Sequence, residues 1–497
     1  MHLLANLTFA RPDLALGPMY PLVVLGALMV LSLCFELRSD GGERPAGSRP
    51  AAIMLSALGL LGLIASLLMQ DNASVDATFN GMLAADGFSR WAGLLIACCA
   101  LLAVLSGQEE LDRNGNRHGG EFVALILGAS LGMLLMASAL NTMVIFLGLE
   151  LFSIALYLLC IFFPERAASR ESAMKYFLLS SAASAVMLYG FALLYGATGT
   201  TWIMEMASEP QGMSSPLAIT AAVLIACGLL FKLSVVPFHF WAPDVYEGAP
   251  TTVTAFMSVA TKVAAVTALW RLFLVAGPEL GLTVRFILTA LALVSMLFGN
   301  MAALAQTSVK RMLAYSGVGN AGYLLIAPAV GMGMAEPMMF FLTVYMFANI
   351  GAFLALSKVE GLLGREVTRS DLRGLYRTQP ALAMVFALSL LSLAGIPPAG
   401  GFLGKFLLFG QAIAGGGDVL VATGIVASII SVGYYLGTAV SLYDGRGETA
   451  PELAILRTVE SEEGQEQPLS LTSLALGLCA AGILLLGVMP ASYLNWL

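Results

Sequence analysis

The chain has 497 residues, 59% of them hydrophobic and 11% charged, with a formal net charge of −7. Soluble domains are roughly half apolar and about a quarter charged, so this composition excludes a water-soluble fold and puts most of the chain in lipid. The six cysteines lie singly or as Cys98-Cys99 in apolar stretches without CxxC or Cys/His spacing, and there is no GxxxxGK[ST] or GxGxxG after a strand. Metal, iron-sulfur, disulfide and nucleotide sites are therefore not expected in this chain.

Breaking the chain where charges, prolines and glycines cluster leaves fourteen apolar segments, each read as a membrane span. They fall near residues 19 to 37, 51 to 70, 89 to 106, 121 to 139, 142 to 163, 172 to 196, 216 to 238, 251 to 275, 282 to 304, 311 to 330, 336 to 357, 380 to 413, 419 to 443 and 469 to 489. No basic residue precedes Arg11 and no small-residue cleavage site follows the first segment, so it is read as a span and not a signal peptide.

Basic residues test the count, because loops on alternate sides of a membrane differ in lysine and arginine. One set of loops holds Arg38, Arg44, Arg49, Arg113, Arg117, Arg166, Arg170, Lys310, Arg311, Lys358, Arg365, Arg369, Arg373, Arg377, Arg446 and Arg457; the other holds Arg11, Arg90 and Arg285. This asymmetry predicts that both termini lie outside the cytoplasm. The acids of the last cytoplasmic loop, "GETAPELAILRTVESEEGQEQP", need only solvation and point to no partner.

Several spans carry a polar stripe at helical spacing. Glu150, Ser153 and Tyr157 share one face of the fifth, and Thr254, Ser258 and Lys262 one face of the eighth. The tenth offers Ser316, Asn320 and Tyr323, the eleventh Tyr345 and Asn349, the thirteenth Ser428, Ser431, Tyr435 and Thr438. Hydroxyls alone are explained by close helix packing. Charges are not: a lysine at the bilayer centre costs roughly 2.5 to 3.5 kcal/mol, so Lys175, Lys232, Lys262, Lys405 and Glu150 are expected to pair or to mark an ion path.

Two spans look interrupted beside these charges. Pro237 breaks the seventh just past Lys232, whose ammonium is expected to be favoured by the freed carbonyls of the half-helix. Pro397 and Pro398, in "AGIPPAGGFLGKF", break the twelfth ahead of Lys405. There the ammonium is expected near the start of the next half-helix, where the dipole disfavours the charge. Breaks five spans apart imply a second copy inverted in the membrane, and interrupted segments in matching positions point to a transport path near the midplane.

The fold expected is an all-α polytopic membrane protein of 14 transmembrane helices. Residues 119 to 278 and 279 to 443 form inverted five-helix repeats, spans four to eight and nine to thirteen. A three-helix segment, 1 to 118, precedes them, and a cytoplasmic loop with a final helix, 444 to 497, follows.

The stretches "FKLSVVPFHFWAPDVYEGAP", "QTSVKRMLAYSGVGNAGYL" and "SLAGIPPAGGFLGKF" closely resemble the proton-pumping membrane subunits of bacterial NADH:quinone oxidoreductase, respiratory complex I. The likeness runs from about Gly119 to Tyr443, and the "PDVYEGAP" wording is similar to the subunit N branch. One sister branch carries a long C-terminal lateral helix, and the other usually has glutamate where this chain has Lys405.

That resemblance implies proton-transfer roles. Glu150 in "FLGLELFS" matches the fifth-span glutamate, Lys232 the lysine it pairs with, and Lys175 a sixth-span lysine nearer the cytoplasm. Lys262 matches the central lysine, and Lys405 the lysine of the second half-channel. Ser258, Ser316, Tyr323 and His239 are further candidates on the path. At Asn320 the family commonly has a histidine, so water or Lys262 has to bridge that point. Separation of Lys232 from Glu150 would send a proton toward Lys262. FMN, iron-sulfur clusters, NADH and quinone are expected in partner subunits of the membrane and peripheral arms, none in this chain.

Other residues have two readings. His239 is a titrating relay or a hydrogen-bonded loop residue; Asp244 and Glu247 collect protons or are solvated; Arg271 is expected to snorkel to the headgroups. Pro243 and Pro250 are expected to shape a turn. The rival functions are a subunit of a multisubunit cation/proton antiporter or membrane-bound hydrogenase, and a non-conducting structural subunit.

Overall fold

The computed structural model describes residues 16–39, 48–70, 76–115, 118–206, 215–275, 281–331, 333–444 and 470–494. The acidic loop quoted above, with Arg446 and Arg457, lies outside the described residues, as do Arg11, Arg44 and Arg117.

Helices α1 (Leu16–Ser39), α2 (Ser48–Met69) and α3 (Gly87–Arg113) open the bundle. A two-stranded antiparallel hairpin, β1 (Asp76–Thr78) and β2 (Leu83–Ala85), lies between α2 and α3 and pairs Thr78 with Leu83. It was not expected. Its signal was Asn80-Gly81: Phe79, Asn80 and Gly81 all have positive φ, the backbone that a tight hairpin turn demands.

The first repeat is α4 (Gly119–Ser138), α5 (Thr142–Cys160), α6 (Ala167–Thr198), a short α7 (Ile203–Met206), α8 (Pro216–Leu233), the eight-residue α9 (Trp241–Gly248) and α10 (Thr251–Val275). The second is α11 (Gly281–Leu304), α12 (Val309–Val330), α13 (Ala335–Leu363), a short α14 (Leu375–Thr378), α15 (Pro380–Ala394), α16 (Gly400–Ala414) and α17 (Asp418–Tyr443). Helices α18 (Leu471–Val488) and α19 (Pro490–Leu494) end the described chain. Among the described residues, thirteen helices are long and apolar enough to cross a membrane, and α15 with α16 make up a divided fourteenth.

The two interruptions share one local structure. After α8, Ser234 turns left-handed (φ 60°) and the Val235 N–H reaches back to the Leu230 carbonyl; after α15, Gly395 turns left-handed (φ 82°) and the Ile396 N–H reaches back to the Leu391 carbonyl. Both are helix ends closed by a residue in the αL region, followed three residues later by the proline of a cis peptide, Val236-Pro237 and Pro397-Pro398. The repeats also open alike: a Cβ on Gly132 or Gly148 would strike the backbone of the facing helix in the α4–α5 pair, as one on Gly299 would in the α11–α12 pair.

Apolar side chains cover the outside and the polar stripes turn inward. Helix α10 is buried along its whole apolar window and α13 along 94% of its own, which makes these two the spine of the bundle. Both carry polar side chains, Lys262 on α10 and Asn349 on α13 among them.

Candidate proton path

Among the described residues four lysines are almost wholly buried: Lys232 (2% exposed), Lys262 (1%) and Lys405 (7%), each from a different part of the bundle, and Lys310 (6%) at the start of α12, whose Nζ donates to the Ala249 carbonyl at 2.8 Å and stands 3.9 Å from Glu360. Lys175 does not join them. It lies in the third turn of α6 with a 40% exposed side chain, 2.6 Å from Glu171 and 2.9 Å from Asp244, so the expectation that it sits at membrane depth is corrected.

Lys232 occupies the last turn of α8, two residues before the left-handed Ser234. Its Nζ donates to Ser153 Oγ on α5 at 2.8 Å and to Ser180 Oγ on α6 at 2.7 Å. The rings of Phe152 and Tyr176 each lie 5.1 Å from it, within cation–π range. The expected direct pair with Glu150 is not formed, for no contact within 4.0 Å joins the two; the serine hydroxyls take the ammonium, and Glu150 Oε1 is buried without a hydrogen-bond partner. Nor does Lys232 use the carbonyls freed by the break. Trp241 Nε1 takes that of Phe231 at 2.9 Å, and Trp241 stacks on Phe231 and Tyr176.

Lys262 lies about halfway along α10. Its Nζ makes a 3.3 Å bond to the Ser258 carbonyl, stands 5.8 Å from the Tyr345 ring, and faces Gly317 of α12, where a Cβ would sit 3.2 Å from it. Ser258 Oγ accepts from Asn349 Nδ2 at 2.6 Å, tying α10 to α13.

Lys405 reverses its expected electrostatics. It springs from the second turn of α16, but its side chain runs back so that Nζ donates to the carbonyls of Leu393 and Ala394 at 3.1 Å each. These are orphan carbonyls at the C-terminal end of α15, where the helix dipole favours a cation. The stabilising end is thus occupied by Lys405 and not by Lys232, because a lysine stem just past a break can fold back across it.

Beside Lys405 lies a cavity of about 10 Å³, roughly the room that one water needs, lined by Asn320, Tyr345, Ser392 and Lys405 among others; Lys262 does not line it but stands 5.8 Å from the Tyr345 ring. Asn320 Nδ2 is bonded to its own helix, at the Ser316 carbonyl 2.9 Å away. Ser316 Oγ likewise bonds within the helix, to Leu313 O at 2.7 Å. Tyr323 presents its ring 5.1 Å from Lys405 Nζ and its hydroxyl 3.1 Å from Ser428 Oγ. Around this row, Tyr157 OH, Ser234 Oγ, Tyr345 OH, Asn349 Oδ1 and Tyr435 OH are buried polar atoms without a protein partner. A buried polar atom left unpaired is costly, so such a concentration marks an interior suited to water.

His239 lies in the first break, 3% exposed, its ring against Phe240 and Phe298 and its Nδ1 without a partner.

At the end of the bundle where the basic loops gather, Asp244 and Glu247 are neither free nor simply solvated. Arg311 reaches both, at 2.9 and 2.8 Å. Burial works to raise the pKa of Asp244, but Lys175 and Arg311 outweigh it and hold the carboxyl below its ordinary value. Sequence reasoning missed Glu110, a buried carboxylate of α3 that accepts the Thr251 and Thr252 N–H groups at 3.0 and 2.9 Å and so caps the helix carrying Lys262. It also missed Ser180, although Tyr176, Ser180 and Ser184 recur every four residues on the buried face of α6.

Arg271 does not snorkel. Its guanidinium holds both Asp86 oxygens at 2.7 and 2.8 Å, Ser89 Oγ at 2.7 Å and the Ala137 carbonyl at 3.0 Å, locking α10 to α3 and α4.

The family model described as "NADH:quinone oxidoreductase/Mrp antiporter, TM" matches residues 139–431. A protein of Desulfovibrio desulfuricans named NADH-quinone oxidoreductase subunit N is 38% identical over 504 aligned positions, covering 97% of this chain and 95% of its own. A chain of respiratory complex I from Thermus thermophilus superimposes with a TM-score of 0.78 at 34% identity, covering 96% of this chain and 98% of that one. A chain of an archaeal membrane-bound sulfane sulfur reductase reaches a TM-score of 0.83 at 23% identity, a likeness of fold alone.

Proposed function

The chain belongs to the family of NADH-quinone oxidoreductase subunit N, and on that premise we propose that it carries protons across the membrane along its buried lysines, driven by redox chemistry in partner subunits. The observation that carries the reading is the set itself: Lys232, Lys262 and Lys405 are buried within spans on three separate elements, with unpartnered polar atoms around them and a water-sized cavity lined by Lys405, Asn320 and Tyr345. Lys232 and Lys262 have no packing role that a methionine would not fill at lower cost, and Lys405, which also closes the end of α15, adds a third ammonium at membrane depth.

In this reading Lys232 exchanges its proton between the Ser153 and Ser180 hydroxyls and the Glu150 carboxylate. Lys262 is the central carrier on α10. Asn320 does not titrate and acts by lining the cavity, where water makes the step to Lys405; Tyr323, Ser258, Ser316 and His239 are secondary candidates. FMN, iron-sulfur clusters, NADH and quinone belong to the partner subunits of the membrane and peripheral arms. The chain sits in a bacterial inner membrane with the basic loops in the cytoplasm and both termini on the periplasmic side.

The test uses the whole complex purified and reconstituted in vesicles. Lys232→Ala or Lys262→Ala is expected to abolish most quinone-linked proton uptake while assembly is kept. Intact pumping in both variants would leave only the structural role. Mass spectrometry of the native complex separates this reading from the antiporter and hydrogenase alternatives, since only the first predicts the NADH-oxidising arm beside this chain.

A further inference from the structure

Between α15 and α17 an apolar groove of about 550 Å³ opens sideways, walled by Ala387 and Leu391 on one helix and by Leu436, Val440 and Tyr443 on the other. It is continuous, through Val440 and Asp444, with a cleft of about 350 Å³ lined by Arg369, Arg373 and Ser441. None of these residues belongs to the lysine row.

The two arginines differ from their neighbours on the same loop. Arg365 is held by both oxygens of Asp371 at 2.9 Å each, and Arg377 bonds the Tyr376 hydroxyl at 3.2 Å. Among the described residues, the Arg369 and Arg373 guanidinium groups have no hydrogen-bond or ion-pair partner. The Arg369 guanidinium lies directly over Gly437, in space that any side chain there would fill. A bare spot on α17 therefore lets a cation lean into the mouth of an apolar groove. Tyr376 stacks on Tyr443 with centroids 5.6 Å apart beside that mouth, an aromatic pair of the kind found at headgroup depth.

We propose that this groove binds one anionic phospholipid, with its phosphate on Arg369 and Arg373 and an acyl chain along Leu391, Leu436 and Val440. Planar guanidinium groups match phosphate oxygens in a fork geometry, and two of them outweigh the single Asp444 carboxylate on the shared rim. From Tyr443 to Leu436 the helix rises roughly 10 Å, enough to guide the upper part of an acyl chain. An exposed wall, with Val440 58% and Tyr443 47% accessible, suits a lipid chain arriving from the bilayer.

The complex containing this chain, reconstituted in phosphatidylcholine vesicles, would be given a photoactivatable phosphatidylglycerol or the matching phosphatidylcholine. The phosphatidylglycerol probe is expected to label peptides carrying Leu391 or Val440 several-fold more than the phosphatidylcholine probe does. The double variant R369Q/R373Q should lower that labelling by roughly an order of magnitude. Val440→Trp, which fills the groove from an exposed position and leaves both arginines, should lower it too, with the complex unchanged in size on a native gel. Equal labelling by the two probes, labelling indifferent to the arginines, or no labelling because protein covers the groove would each overturn the assignment.

Discussion

The Lys232 ammonium lies 2.7 Å from Ser180 Oγ, held from a different helix than the one carrying Glu150. Two hydroxyls and two aromatic faces therefore solvate the charge while Glu150 Oε1, on the same helix as Ser153, has no partner. Ser180→Ala removes one bond to a charged group, an interaction of roughly 1.5 to 3 kcal/mol. We expect the complex to assemble, with proton uptake per quinone turnover reduced and the pH dependence of pumping displaced. Ser180→Thr keeps a hydroxyl and should restore both. An unchanged pH profile in the alanine variant would show that Ser180 only fills space.

Lys405 closes the end of α15 as well as lining the cavity, and these roles separate chemically. Arginine at this position keeps a donor for the Leu393 and Ala394 carbonyls but stays protonated under all working conditions. Lys405→Arg is therefore expected to retain assembly and thermal stability and to lose most proton uptake. Lys405→Met should lose both, at a stability cost of about 1 to 3 kcal/mol for the stranded carbonyls. Full pumping with arginine would reduce Lys405 to a helix cap.

Asn320 tests the water step. Leucine is close to it in shape but gives the cavity an apolar wall, which disfavours a bound water. Asn320→Leu is expected to slow pumping by on the order of tenfold while sparing assembly, measured by proton uptake in vesicles. No change would mean that the path avoids the cavity.

The Asp86–Arg271 pair is a stability device away from the lysine row. Burial works to raise the pKa of Asp86, but Arg271 and the Ser89 groups outweigh it and hold the carboxyl below its ordinary value. A depressed carboxyl contributes stability that is complete above the unfolded value near 4 and is lost as pH falls through the folded one. Because the Asp86 side chain is 23% exposed, Asp86→Asn should cost roughly 2 kcal/mol near neutral pH, below the range for fully buried pairs. The gap in thermal midpoint between the two proteins should narrow below about pH 4. A gap that stays constant in acid would rule out the ionic origin.

Much of this protein could be read along the chain because lipid imposes its rules locally. A backbone in hydrocarbon has to satisfy its own hydrogen bonds, so apolar length alone marks a span, and a proline in one marks a break. The fourteen segments, the interruptions at Pro237 and Pro397-Pro398, and the inward lysines at 232, 262 and 405 follow from that. Partners do not, since a side chain's contact depends on which helices meet and at what height. Only the packed bundle put Ser180 and not Glu150 on Lys232, turned Lys405 back onto α15, moved Lys175 out to Asp244, and brought Asp86 to Arg271 across 185 residues. Hydrophobicity is a property of each residue and shows in the order of letters; electrostatic pairing is a property of distance, which three dimensions alone supply.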